Sequence, residues 1–176
     1  MKKITLLFIS FFLLNSCKTY IDTQNDIKSD SMEFIYKEKE NQFLYKSKLY
    51  SKAGNDIKYS NHFSINLPKK IKNWHILGNE FYFEYDSKQM IYINSGYKNV
   101  GNEVDWSLND FPENKIYKTF GDYWEERNYN ESSLYNSLKE RINKSYSDGK
   151  VTIVLCNIKQ ENYVAFLEKI KTFKYF

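Results

Sequence analysis

The sequence predicts an α+β fold: an antiparallel sheet with a helix before the central strand and a C-terminal helix packed on the sheet. Three observations carry this expectation. Residues 151–158, Val-Thr-Ile-Val-Leu-Cys-Asn-Ile, are apolar on both alternating faces, as in a central strand covered on both sides. Two aromatic and β-branched runs, 81–85 and 90–93, flank Asp86-Ser87-Lys88-Gln89, which is hairpin chemistry. Apolar residues at helical spacing lie on either side of the central run: Leu134, Leu138, Ile142 and Tyr146 before it, then Tyr163, Phe166, Leu167, Ile170 and Phe173 after it. Strands joined by hairpins, with helices segregated from them, favour α+β over alternating βαβ units.

The elements follow in order. Residues 17–31 are polar and lack apolar periodicity, so they read as a tether. Residues 32–59 fit neither period, and a helix or two irregular strands both satisfy them; Ala53-Gly54-Asn55-Asp56 marks a turn. Phe63, Ile65 and Leu67 alternate with polar residues up to Pro68, giving a half-buried strand. Residues 74–77 form a short strand before the hairpin. Residues 96–114 are loop-like, and 115–125 return to strand. Ser132 or Ser133 caps the first helix, and Asp148-Gly149 ends it. Lys169, Lys171 and Lys174 lie at the end of the last helix, where cations suit the dipole.

The first segment carries an address. Lys2 and Lys3 precede an apolar run, Ile4 to Leu14, too short for the roughly 20 residues of a spanning helix and suited to a signal-peptide core. It ends in Leu14-Asn15-Ser16-Cys17, which resembles the lipobox of bacterial lipoproteins, with Asn15 less usual at its position. The resemblance implies a signal peptide over 1–16, cleavage before Cys17 and lipid on its thiol. Two or more acyl chains, at ~0.8 kcal/mol per buried methylene, anchor stably. Lys18, by analogy with sorting in such lipoproteins, implies an outer-membrane protein facing the periplasm; the widely spaced Asp22 and Asp26 leave surface display open. Asp30-Ser31-Met32 resembles an O-glycosylation sequon of Bacteroidetes-type lipoproteins, and a turn or helix cap accounts for it equally well.

Residues 32–176 then form one domain. Removing 16 residues from 176 leaves 160, an ordinary single-domain length. With 16 Tyr and 13 Phe, much of the core is expected to be aromatic. The formal charge of +4 includes Lys2 and Lys3, so the mature chain is close to neutral and gives no reason to expect nucleic acid. If Cys17 carries lipid, Cys156 has no partner for a disulfide. The order of elements over about 60–176 is similar to Mog1/PsbP-like domains, with an early strand ending at Pro68 and an aromatic-basic tail, Thr172 to Phe176. That resemblance implies a binding module.

No motif for chemistry stands out. There is no Gly-x-Ser-x-Gly nucleophile elbow, and the six glycines are too scattered for a phosphate loop. His62 and His75 are the only histidines and lack metal-ligand spacing, so no metal or cofactor is expected. Cys156, inside an apolar strand, reads as an inert thiol. The Lys-rich stretch from Lys37 to Lys52 suits either a membrane surface or a solvated face. Residues 98–131 hold eight acidic side chains against four basic ones, with aromatics interleaved. Aromatic anchors amid a charged rim suit a protein interface, and a solvated loop edging the core suits the same residues. On the interface reading, Trp106, Asp105, Asp110, Phe111, Tyr123, Trp124 and Glu125 form the partner-binding surface, with Trp106 and Trp124 as anchors.

The expected function is a lipid-anchored, non-enzymatic binding protein of the cell envelope, in its sharpest form an immunity protein neutralising a delivered toxin. The alternative is an accessory subunit of an envelope secretion or assembly complex.

Overall fold

Strands whose two faces are both apolar must be covered twice, and the chain does so with a second sheet on one side and a helix on the other. A computed structural model describes residues 27–28, 32–37, 39–47, 50–53, 56–59, 61–96, 105–130 and 140–176. The lipobox-like residues 14–17, Asp30 and Ser31 of the sequon-like triplet, and the expected caps Ser132 and Ser133 lie outside these residues.

The strands are β1 (Ile27–Lys28), β2 (Met32–Lys37), β3 (Gln42–Ser47), β4 (Tyr50–Ala53), β5 (Asp56–Tyr59), β6 (Phe63–Asn66), β7 (Asn73–Leu77), β8 (Glu80–Tyr85), β9 (Gln89–Ser95), β10 (Ser107–Asp110), β11 (Arg141–Ser147), β12 (Val151–Lys159) and β13 (Lys174–Tyr175). The helices are α1 (Glu113–Glu125) and α2 (Tyr163–Ile170). A six-stranded sheet runs β10-β11-β12-β9-β8-β7, a five-stranded sheet runs β1-β2-β3-β6-β13, and β4 and β5 form a separate hairpin. Every pairing among the described residues is antiparallel. The class is therefore mixed, with antiparallel sheets and two described helices, consistent with α+β. Residues 32–59, open between helix and strand in the sequence, are strands wherever described except for a turn at 39–41. Residues 27 and 28, inside the expected tether, pair with β2.

Period-2 alternation sorts the six-stranded sheet's side chains into two cores. Phe81, Phe83, Ile91, Ile93, Val151, Ile153 and Leu155 face the five-stranded sheet and meet Phe34, Phe43, Tyr45, Phe63 and Ile65. The contacts are ring on ring: Phe43 to Phe83 at 4.8 Å and Tyr45 to Phe81 at 4.7 Å between centroids. Such pairs are worth ~0.5–1.5 kcal/mol each beyond burial. Phe166 and Ile170 of α2 close this core, with Phe166 edge-on to Tyr85 at 4.8 Å. The opposite face, with Tyr82, Met90, Tyr92, Val154 and Cys156, lies under Ile116, Phe120, Tyr123 and Trp124 of α1.

Four segments differ from their sequence reading. Residues 107–110, expected as loop, are β10, and Lys174, expected at the end of the last helix, lies in β13 against β6, because α2 ends at Ile170. Residues 115–125, expected as strand, belong to α1. Their aromatics suit a strand by propensity, but Ile116, Phe120, Tyr123 and Trp124 lie at i, i+4, i+7 and i+8, a helical stripe that buries against the sheet. Residues 141–147, expected as helix, are β11, antiparallel to both β10 and β12. A spacing of four is ambiguous: it is one helical turn and also two strand periods. Ile142 and Tyr146 share a strand face as readily as a helix face. Gly149, expected as a helix stop, sits instead at φ +82° in the β11–β12 turn. There Asp148 accepts from the backbone N–H groups of Lys150 (2.9 Å) and Val151 (2.8 Å).

The β8–β9 hairpin forms where the sequence placed it. Its turn holds Ser87 and Lys88 at φ 58° and 56°, costly conformations for side-chain-bearing residues. Asn157 compensates from β12: its Nδ2 donates to the carbonyls of Ser87 (3.1 Å) and Lys88 (2.9 Å). Asn157 reaches them because a register shift between Ile142 and Lys144 places it at a bulge, with φ 57°.

Candidate functional site

The six-stranded sheet is wider than α1, and a cleft opens where the helix passes over β7, β8 and β9. It has a volume of about 510 Å³, within the ~300–1,000 Å³ range of ligand sites. His75, Leu77, Glu80, Tyr82 and Tyr92 line it from the sheet, and Lys115, Lys118, Thr119, Asp122 and Tyr123 line it from α1, with Glu126 just beyond. The helical residues recur every three or four positions, so a single face of α1 forms one wall.

Glu80 is the focus of the cleft. Its Oε1 accepts from the Tyr92 hydroxyl at 2.6 Å and Asn94 Nδ2 at 3.2 Å, and its Oε2 accepts from the Tyr82 hydroxyl at 3.1 Å. Register explains the convergence: Glu80 is opposite Asn94, and Tyr82 is opposite Tyr92. Burial, reinforced by Glu80, raises both phenol pKa values well above the ordinary range, so the hydroxyls remain neutral donors.

Four residues along the same strand face, Glu84 is fully enclosed, at 1% exposure. It accepts from Asn73 Nδ2 (3.0 Å) and from the hydroxyls of Tyr123 (3.1 Å) and Tyr129 (2.6 Å). Arg127 Nε lies 3.7 Å away, and its guanidinium stacks 3.6 Å above the Tyr123 ring. Burial first, then Glu84, raises the pKa of Tyr123 and Tyr129. This cluster fastens the C-terminal end of α1 to the sheet.

The residues expected at an interface separate. Trp106 is half-buried on the sandwich side, stacked on Tyr146 at 4.4 Å and edge-on to Phe173 at 5.5 Å. Trp124 and Tyr123, each 3% exposed, lie in the core beneath α1, and Phe111 packs against the same core. The two tryptophans therefore sit on opposite faces of the sheet, and Tyr123 and Trp124 belong to the core beneath α1, with Tyr123 also lining the cleft. Asp105, Asp110 and Glu125 are exposed. Asp110 pairs with Lys144 at 2.7 Å, and Glu125 accepts from the Tyr117 hydroxyl at 2.7 Å.

Sequence reading missed Glu80, Glu84, Tyr82, Tyr92 and Arg127. A signal was present: once 81–85 is a strand, alternation puts Tyr82 and Glu84 on one face with Glu80, an acidic row on a strand buried on both sides. Burial raises the pKa of Cys156, in keeping with an inert thiol. Among the described residues no group of three or more His, Cys, Asp or Glu could hold a metal, and no helix is long and apolar enough to cross a membrane.

Fold and site define a β-sandwich with a helix, α1, on its outer face and a tyrosine-lined, charged cleft beneath that helix. Comparison with protein-family models, curated proteins and solved structures finds no match to this chain.

Proposed function

We propose that this chain is a lipid-anchored, non-enzymatic binding protein of the cell envelope, held to the outer membrane through Cys17 and facing the periplasm. In its sharpest form it is an immunity protein that neutralises a delivered toxin. The lipobox-like Leu14-Asn15-Ser16-Cys17 supports the anchor. The observation that carries the binding reading is the cleft under α1, whose walls are a sheet and a helix joined by a buried core and whose Glu80 is pre-positioned by three hydrogen bonds. Its rim carries the exposed Asp122 and Glu126, and Glu125 beside them on α1 is exposed as well. Charges of this kind orient a partner and speed its association.

The test uses the full chain, solubilised in detergent, to capture proteins from envelope extracts of its own strain and of competing strains. The variant Asp122→Lys/Glu126→Lys serves as control. A toxin-like protein held by wild type and lost by the variant supports the immunity reading. Capture only of self envelope components moves the protein to the accessory-subunit alternative. Capture that ignores the charge reversal removes the cleft from the interface. Cys17→Ser should release the protein from membranes, and retention would overturn the lipid anchor.

A further inference from the structure

We infer that the cleft receives one cationic side chain, a guanidinium or ammonium, projecting from a protein partner, with Glu80 as its counter-ion. This rests on reading the cleft as the partner-binding site. A carboxylate offers about four lone-pair positions, and three at Glu80 are filled by neutral donors at 2.6, 3.1 and 3.2 Å. Those bonds orient the group without cancelling its charge. Among the described residues no cation comes within ion-pair distance of Glu80. The contrast with Glu84 is internal to the strand, since the enclosed carboxylate has Arg127. A carboxylate inside a low-dielectric, tyrosine-lined recess attracts a cation more strongly than one in open water.

The remaining charges specify the form of that cation. Asp122 and Glu126 lie one turn apart on the α1 wall, adding negative charge near one end. Lys115 and Lys118 stand at the other end of the same wall. A field running from positive to negative along the cleft suits a single cation flanked by neutral or acidic groups. A polyamine or polybasic segment would press further positive charge against Lys115 and Lys118. The phenol rings of Tyr82 and Tyr92 give the side-chain stem an aromatic lining. Metal ions fit less well, because no described cluster supplies three ligands.

The test is calorimetric titration of the detergent-solubilised full chain with Nα-acetyl-L-arginine methyl ester, its neutral isostere Nα-acetyl-L-citrulline methyl ester, and spermidine. The arginine ester should bind saturably and at least about tenfold more tightly than the citrulline ester, tenfold being ~1.4 kcal/mol. Glu80→Gln should weaken arginine-ester binding about tenfold, and Lys118→Glu should strengthen it severalfold. Equal binding of the two esters, no saturable arginine-ester binding, indifference to Glu80→Gln in a protein that still unfolds cooperatively, or tighter binding of spermidine would each overturn the inference. If the esters bind alike while a partner is still captured, the binding-protein reading survives and the cation does not. If the arginine ester binds as expected and no protein is captured, the partner reading falls and the cleft chemistry stands.

Discussion

Glu80 and Glu84 begin as near equivalents. They lie four residues apart on β8, on one face, and each accepts hydrogen bonds from two tyrosine hydroxyls. The chain beyond α1 makes them different. After Glu125 it turns back, with the N–H groups of Arg127 and Tyr129 both bonded to the Trp124 carbonyl and Asn128 at φ 54°. That reversal swings Arg127 and Tyr129 over Glu84 and leaves Glu80 in the open part of the cleft. One carboxylate is thereby a fastening and the other a recognition group. Position on a strand face sets neither role; the covering element sets both.

The largest expected effect falls on the fastening. Glu84→Ala removes the buried carboxylate beside the enclosed Arg127, leaving it the exposed Glu126 at 4.0 Å, and should cost ~3–5 kcal/mol in denaturant unfolding. The double variant Glu84→Leu/Arg127→Met should lose less than Glu84→Ala alone, because the uncompensated charge goes with its partner. A double variant at least as unstable as the single would mean that the ion pair itself is the source of stability. Trp124→Ala, in the core under α1, should cost ~3–5 kcal/mol.

Trp106→Ala should cost about 2 kcal/mol through its lost ring contacts with Tyr146 and Phe173, and should leave partner capture unchanged. Lost capture with an unchanged unfolding midpoint would restore Trp106 as an anchor.

Both carboxylates hold phenols whose pKa is raised by burial: Tyr82 and Tyr92 at Glu80, Tyr123 and Tyr129 at Glu84. The folded state keeps these protons and the unfolded chain releases them near pH ~10. The stability they contribute is therefore complete below that pH and declines as pH rises above it. Tyr129→Phe, removing one such group, should make the alkaline decline of the unfolding midpoint shallower, and an unchanged slope would refute the assignment.

The smallest effect on stability belongs to Glu80. Glu80→Gln retains an oxygen acceptor and should change unfolding by under ~1 kcal/mol while weakening binding in the cleft. A loss comparable to Glu84→Ala would show both carboxylates to be structural.

The two helical spacings before β12 show where sequence reading stops. Leu134, Leu138, Ile142 and Tyr146 suggested a helix, yet the chain from Arg141 onward is β11, because four is a multiple of the strand period and β12 needed a neighbour on that side. The turn beyond it was recognised at Asp148-Gly149, but as a helix stop rather than a hairpin. Residues 115–125 suggested a strand, yet they lie in α1, because a sheet face rich in Tyr82, Met90, Tyr92, Val154 and Cys156 required cover. In both places local propensity yielded to burial.

Sequence by itself determined what depends on near neighbours. Alternation in β6, the apolar runs of β8, β9 and β12, the β8–β9 turn, the stripe of α2, the aromatic character of the core and the apolar setting of Cys156 all follow from residue type and short-range spacing. Tertiary structure alone decided which face each aromatic served, and so separated Trp106 from Trp124. It also decided that Glu84 would be enclosed with Arg127 while Glu80 opened into a cleft. Those outcomes depend on contacts between elements dozens of residues apart, and a charge in a sequence carries no mark of what will fold over it.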